Sequence, residues 1–238
     1  MKYFKFKDFF TSLNLFLSFY AVVLAFEGRF ELGSYLLVFN VLVLDIVDGL
    51  VARLTKTGNE FGKHFDSITD FLGSSVVVSF FIYIALKNEN IYIAIACAFL
   101  FLLVGVVREI QQRLENISHK GYFVGFPRNA AAILIVAFFN TTLYDLSPYI
   151  LIPYLALLCF CQLSHIPYVG NDKKILLEHP RMKFYLLAAL VYLAVNSYFG
   201  FFWNVILTYM CCFLLTPYFV TPREVWDGIK EQQSRLKA

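Results

Sequence analysis

Apolar runs of bilayer length decide what this chain can fold into. They cover about residues 9–26, 32–53, 65–86, 91–112, 126–144, 147–165, 182–198 and 201–220. An α-helix needs roughly 20 apolar residues to cross the hydrocarbon core, so the expected fold is all-α: a polytopic transmembrane helix bundle of about eight spans. Composition agrees. Of 238 residues, 59% are hydrophobic and 16% charged, whereas a soluble domain is nearer half apolar and a quarter charged. A disordered chain, a disulfide-stapled secreted module and an ordinary cytosolic enzyme are thereby excluded. The 27 phenylalanines suit a lipid-facing surface, with Tyr and Trp near its edges.

The basic residues orient the bundle. With the amino terminus inside, 18 of the 20 Lys and Arg fall on inner segments, and only Arg29 and Lys87 are left outside. That is the asymmetry of the positive-inside rule, and a miscount by one helix would scramble it. Lys2, Lys5 and Lys7 precede the first run as they would in a signal peptide, but its apolar stretch is long and Leu24-Ala25-Phe26-Glu27 is no small-x-small cleavage site. Residues 1–220 therefore read as one integral membrane domain, and 221–238 as a polar cytoplasmic tail, which fits either a short helix at the inner surface with Trp226 at the headgroups or a solvated tail. The junctions at Leu146-Ser147-Pro148 and Phe199-Gly200 fit either a tight hairpin or a broken helix. A net charge of +3 gives no case for nucleic acid. The five cysteines lie in apolar runs as small hydrophobes, and the four histidines lack metal-site spacing.

One stretch breaks the apolar pattern. Asp45, Asp48, Gly49, Ala52 and Arg53 share one face of the second helix, and Gly62, Asp66 and Asp70 share one face of the third. A loop of about a dozen residues joins the two helices as an antiparallel pair, so the two faces can meet. Carboxylates at a membrane surface need partners, and Arg53 and Lys63 are too few and too peripheral to neutralise four. Hard divalent cations take oxygen ligands, so Asp45, Asp48, Asp66 and Asp70 are expected to hold one or two Mg²⁺ or Mn²⁺ ions. Gly49 and Ala52 keep the face free of bulk, and Arg53 offers a planar fork for phosphate. His64 lies on the wrong helical face to join the acids.

Asp45-x2-Asp48-Gly49-x2-Ala52-Arg53-x8-Gly62-x3-Asp66-x3-Asp70 resembles the signature of the CDP-alcohol phosphotransferase family at every fixed position. The resemblance implies a core of six helices, a homodimer, and transfer of a phosphoalcohol from a CDP-linked donor to an acceptor hydroxyl with release of CMP. It implies metal-ligand roles for Asp45, Asp48 and Asp66, and for Asp70 a role as base beside the metal. It implies contacts to the CDP moiety for Gly49, Ala52, Arg53 and Gly62. A lipid donor could keep its acyl chains in the bilayer while its headgroup reaches the inner surface.

Within the family, Thr11-Ser12-Leu13-Asn14, Asp66-Ser67-Ile68-Thr69-Asp70 and Gly121-Tyr122-Phe123-Val124-Gly125-Phe126-Pro127 with Ala130-Ala131-Ala132 resemble the branch that makes phosphatidylserine. The likeness extends over about the first 135 residues. Phe71-Leu72-Gly73-Ser74-Ser75 and Arg128 depart from that branch's pattern. The donor implied is CDP-diacylglycerol and the acceptor L-serine, or, within the same chemistry, glycerol 3-phosphate or inositol phosphate. Arg108 and Arg128 suit the acceptor's anion, while Lys120 reads as positive-inside anchoring. The location implied is a bacterial inner membrane, with both termini and the active site cytoplasmic. The alternative from another class, a divalent-cation transporter, would place its acids near the midplane rather than at one face.

Overall fold

The computed structural model of the chain describes residues 5–41, 60–115, 117, 121–169, 191, 192, 195 and 201–237. Among these, helices α1 (Phe6–Phe26), α3 (Glu60–Leu86), α4 (Ile91–Glu115) and α8 (Phe202–Val220) are long and apolar enough to cross a membrane. Shorter apolar helices are α2 (Phe30–Phe39), α5 (Arg128–Phe139) and α7 (Leu151–Leu163). A single turn, α6 (Thr142–Leu146), follows α5, and a 3-10 turn at Pro148–Ile150 leads into α7. The chain is thus an all-α integral membrane protein. Run seven lies almost wholly outside the described residues, as does the second half of run two. The chain divides into two compact units. One holds residues up to Gly105 with Thr142–Tyr149; the other holds Val106–Thr141 and everything from Ile150 onward.

In the first unit the usual amphipathic pattern is inverted, as lipid requires. Asp8, Thr11, Asn14, Ser18, Ala21 and Ala25 recur at helical spacing along α1 and are buried, while Phe9, Phe16 and Phe19 of the same helix are exposed. In a bilayer large apolar side chains gain nothing by facing inward, and small or polar residues let helices approach and bond. At the helix start the Lys5 N–H donates to the Asp8 carboxylate at 2.7 Å, a capping contact that serves an otherwise orphaned backbone donor. Where α2 returns, the Asn40 amide donates toward the Asn14 carbonyl (2.9 Å), the Asn14 Oδ1 (2.9 Å) and the Ser18 Oγ (2.6 Å).

Gly33 sets the distance between α1 and α2. A Cβ there would come within 2.6 Å of the Ala21 carbonyl oxygen and 3.2 Å of the Phe81 ring, and a backbone atom cannot step aside. Gly33→Ala is therefore expected to cost about 1–3 kcal/mol, read as a lower thermal midpoint in detergent. Leu32→Ala, at an exposed neighbour, should stay within about 0.5 kcal/mol. Equal midpoints for the two variants would refute the close crossing.

The second unit is built around α5, whose residues from Ala130 to Phe139 are all buried. α7 returns to pack on it, with Phe138 and Tyr154 stacked at 5.3 Å. The junction near Pro148 therefore reverses the chain rather than continuing one helix. Pro217 sits inside α8 and cannot donate to the carbonyl four residues back. The Thr216 hydroxyl donates to that Phe213 oxygen instead, at 2.7 Å, so this acceptor keeps a partner where lipid would offer none. Two short strands, β1 (Tyr122–Val124) and β2 (Pro167–Val169), pair antiparallel in the register Tyr122↔Val169 and Val124↔Pro167. Sequence reading expected only loops there. The tail is a full helix, α9 (Arg223–Lys237), anchored by Val225 and Ile229 against Val124. Trp226 lies 6.1 Å from the Tyr218 ring.

Candidate active site

α3 begins at Glu60, five residues ahead of the expected span, so Gly62, Asp66 and Asp70 all lie within regular helix. Their i, i+4, i+8 spacing puts them on one face. Gly62 is buried and both aspartates are half-buried; Lys63 and His64 are exposed. Phe61 and Phe65 stack on one another at 5.9 Å. Immediately after the acids the helix widens into a π segment, Leu72–Val77. The Ser74 hydroxyl donates to the Asp70 carbonyl at 2.5 Å, a side-chain bond of the kind that perturbs helical ladders. Such π segments recur beside functional residues.

Asp45, Asp48, Gly49, Ala52 and Arg53 lie outside the described residues. The structure thus speaks to two of the four expected acids and to Gly62. Among the described residues no three His, Cys, Asp or Glu side chains cluster closely enough to hold a metal. Two half-buried carboxylates on successive turns are nevertheless a hard-oxygen donor set of the kind Mg²⁺ or Mn²⁺ takes, and they are two of the four expected acids.

The second unit carries the two expected anion-binding arginines. Arg108, near the end of α4, is 3% exposed. Its guanidinium donates to the Val124 carbonyl of β1, and its Nε is buried without a hydrogen-bond partner. Gly125 makes the room. Its φ is +80°, and a Cβ there would sit 2.8 Å from the guanidinium and 2.6 Å from the Ser164 carbonyl oxygen. Arg128, the first residue of α5, is ion-paired with Glu109, which also takes Arg113 at 2.6 Å. Arg128 and Glu115 both act on Arg108 electrostatically.

Three further polar residues gather there that sequence reasoning did not single out. Gln111 and Glu115 follow Arg108 at i+3 and i+7, on the same face of α4. His165, fifty residues further on, places its Nε2 at 2.6 Å from Glu115 and 3.2 Å from Gln111. Polar residues at helical spacing on the inner end of an apolar run were a readable signal; the histidine was not. Arg108, Gln111, Glu115 and Tyr122 help line a cavity of about 230 Å³. Burial pushes the Tyr122 phenol up, so it stays a neutral O–H donor through the physiological range.

Comparison with known proteins gives the site its context. The sequence model of the CDP-alcohol phosphatidyltransferase family matches residues 6–163. A CDP-diacylglycerol–serine O-phosphatidyltransferase of Helicobacter pylori is 34% identical over 132 residues, 55% of each chain. One from Methanocaldococcus jannaschii is 32% identical over 131 residues, 55% of this chain and 58% of the relative. An archaetidylserine synthase of Methanothermobacter thermautotrophicus is 31% identical over 142 residues, 58% of this chain and 59% of the relative. The chain thus spans little more than half the length of the curated relatives it matches.

Proposed function

The chain belongs to the CDP-alcohol phosphatidyltransferase family, and from that premise we propose that it transfers the phosphatidyl group of CDP-diacylglycerol to the hydroxyl of L-serine, forming phosphatidylserine and releasing CMP. The observation that carries the acceptor is that all three relatives have serine in their names, across two kinds of lipid product. The mixed charge around Arg108 supports it: a cavity offering both a guanidinium and the Glu115 carboxylate favours a zwitterion over a doubly charged phosphate. The transporter alternative loses its footing once the acidic helix face belongs to a transferase family.

In this reading Asp45, Asp48, Asp66 and Asp70 hold one or two Mg²⁺ or Mn²⁺ ions. When bound, the metal offsets charge on the pyrophosphate and on departing CMP. Gly49, Ala52 and Gly62 leave space for the CDP moiety, and Arg53 takes a phosphate oxygen. Asp70 accepts the serine hydroxyl proton as the new oxygen–phosphorus bond forms and the anhydride bond to CMP breaks; a carboxylate is a weak base, so the two events are concerted. Arg108 binds the acceptor's carboxylate, and Arg128, held by Glu109, adds positive potential. The site faces the cytoplasm at a bacterial inner membrane, and the protein works as a homodimer, as the family likeness implies.

The test is an acceptor panel with purified protein, labelled CDP-diacylglycerol and Mn²⁺. CMP release that depends on L-serine is the expected result. Release only with glycerol 3-phosphate or inositol phosphate would move the acceptor, and no release with any of them would refute the reading.

A further inference from the structure

Two residues that line the cavity, Arg108 and Gln111, each carry a buried unsatisfied atom, and the two are of opposite kind. The Nε of Arg108 is a buried donor without a partner, and the Oε1 of Gln111 is a buried acceptor without one. Neither is cheap to leave unpaired: a buried polar atom that loses its partner forfeits its hydration. The residues stand three apart on one helix face, about 5–6 Å between Cβ atoms. The Gln111 amide nitrogen is already committed, at 3.2 Å and 3.3 Å, to the two Glu115 oxygens. That fixes which way the amide points and leaves its oxygen as the orphan. His165 holds the same Glu115 carboxylate at 2.6 Å, so the acid is set in place rather than swinging free, although about a third of its side chain remains exposed.

A ligand that satisfies both orphans must present an acceptor to the arginine and a donor to the glutamine oxygen, close together. A free α-amino acid does this with its carboxylate and its ammonium, one carbon apart. Glu115 supplies the charge that an ammonium needs and a phosphate would resist. The cavity, about 230 Å³, falls below the roughly 300–1,000 Å³ of drug-sized sites, which suits an amino acid with a short side chain. Resting on the reading of an amino-acid acceptor, we infer that this pocket is the acceptor site. Glu115 and the Gln111 carbonyl oxygen hold the ammonium, Arg108 holds the carboxylate, and His165 orients Glu115.

Two isosteric variants test this in the full-length protein: Glu115→Gln removes the charge, and Gln111→Met removes the acceptor oxygen. Equilibrium dialysis of labelled L-serine reads the pocket directly, whether or not the protein turns over. Binding to wild type that weakens about 10- to 100-fold in Glu115→Gln and measurably in Gln111→Met supports the assignment. Wild type that binds no serine, or variants that bind it as wild type does, would overturn it. In parallel, the KM for L-serine should rise with that loss, while the KM for CDP-diacylglycerol holds within about twofold (a shift of about 0.4 kcal/mol); a matched rise in both would mean a disturbed fold and would also count against the pocket. Serine-dependent CMP release with variant-insensitive serine binding would sink the pocket and leave the proposed reaction standing. Serine binding that is lost in the variants, without serine-dependent CMP release, would do the reverse.

Discussion

Asp66→Asn and Asp70→Asn are each expected to lower CMP release at least about a thousandfold, a loss of about 4 kcal/mol in transition-state stabilisation, while the protein inserts and unfolds as wild type does. The substitution keeps shape and helix-forming ability and removes one negative charge and one strong oxygen ligand. Both side chains are half-buried on one face of α3, where a carboxylate is costly to keep ionised. Stability should therefore hold or rise as activity collapses, the trade-off expected of groups retained for chemistry. Circular dichroism and a thermal midpoint in detergent separate this from misfolding. His64→Asn, exposed on the same helix turn but off the acidic face, serves as the control and should keep its rate. A rate within tenfold of wild type in either aspartate variant would remove the acids from the chemistry.

How far the sequence was legible followed the range of the physics involved. Span existence is a local property of apolar length, and α1, α3, α4 and α8 appear where the runs predicted them. Helical spacing is equally local, so Gly62, Asp66 and Asp70 on one face could be read from numbers alone. Starts were less legible: α3 begins five residues early because Glu60 to Phe65 form helix without being apolar. Which face of α1 meets its neighbours was not read at all. It is marked by Asn14, Ser18 and their bond to Asn40, 22 or more residues away, and a polar residue in an apolar run does not announce its partner. The β1–β2 pair escaped because each strand has three residues and their register depends on Gly125 and on a chain segment some forty residues later. For the same reason Arg108 was identified by position and His165 emerged only with the fold, whereas Gln111 and Glu115 carried a helical spacing that could have been read.

Chelation of the purified protein with EDTA is expected to reduce CMP release by about a hundredfold or more, with Mn²⁺ or Mg²⁺ restoring it. The reason lies in the acids rather than in any one of them. Four carboxylates sharing the proposed site would repel one another, and Asp66 and Asp70 on successive turns of α3 already concentrate two charges in one half-buried strip. A cation bound there is linked to folding: a ligand held only by the native state adds about 2.7 kcal/mol at a hundredfold excess over its Kd. Mn²⁺ should accordingly raise the thermal midpoint of wild type, without any substrate present. The same titration on Asp66→Asn should show a smaller rise and need more metal, because a neutral amide oxygen is a poorer ligand than a carboxylate for a hard cation. That readout does not pass through turnover, so it separates a lost ligand from a lost base: Asp66→Asn loses metal response and rate together. A midpoint indifferent to Mn²⁺ in wild type, with activity surviving EDTA, would leave the acidic face without its cation and would require another source of charge to balance it.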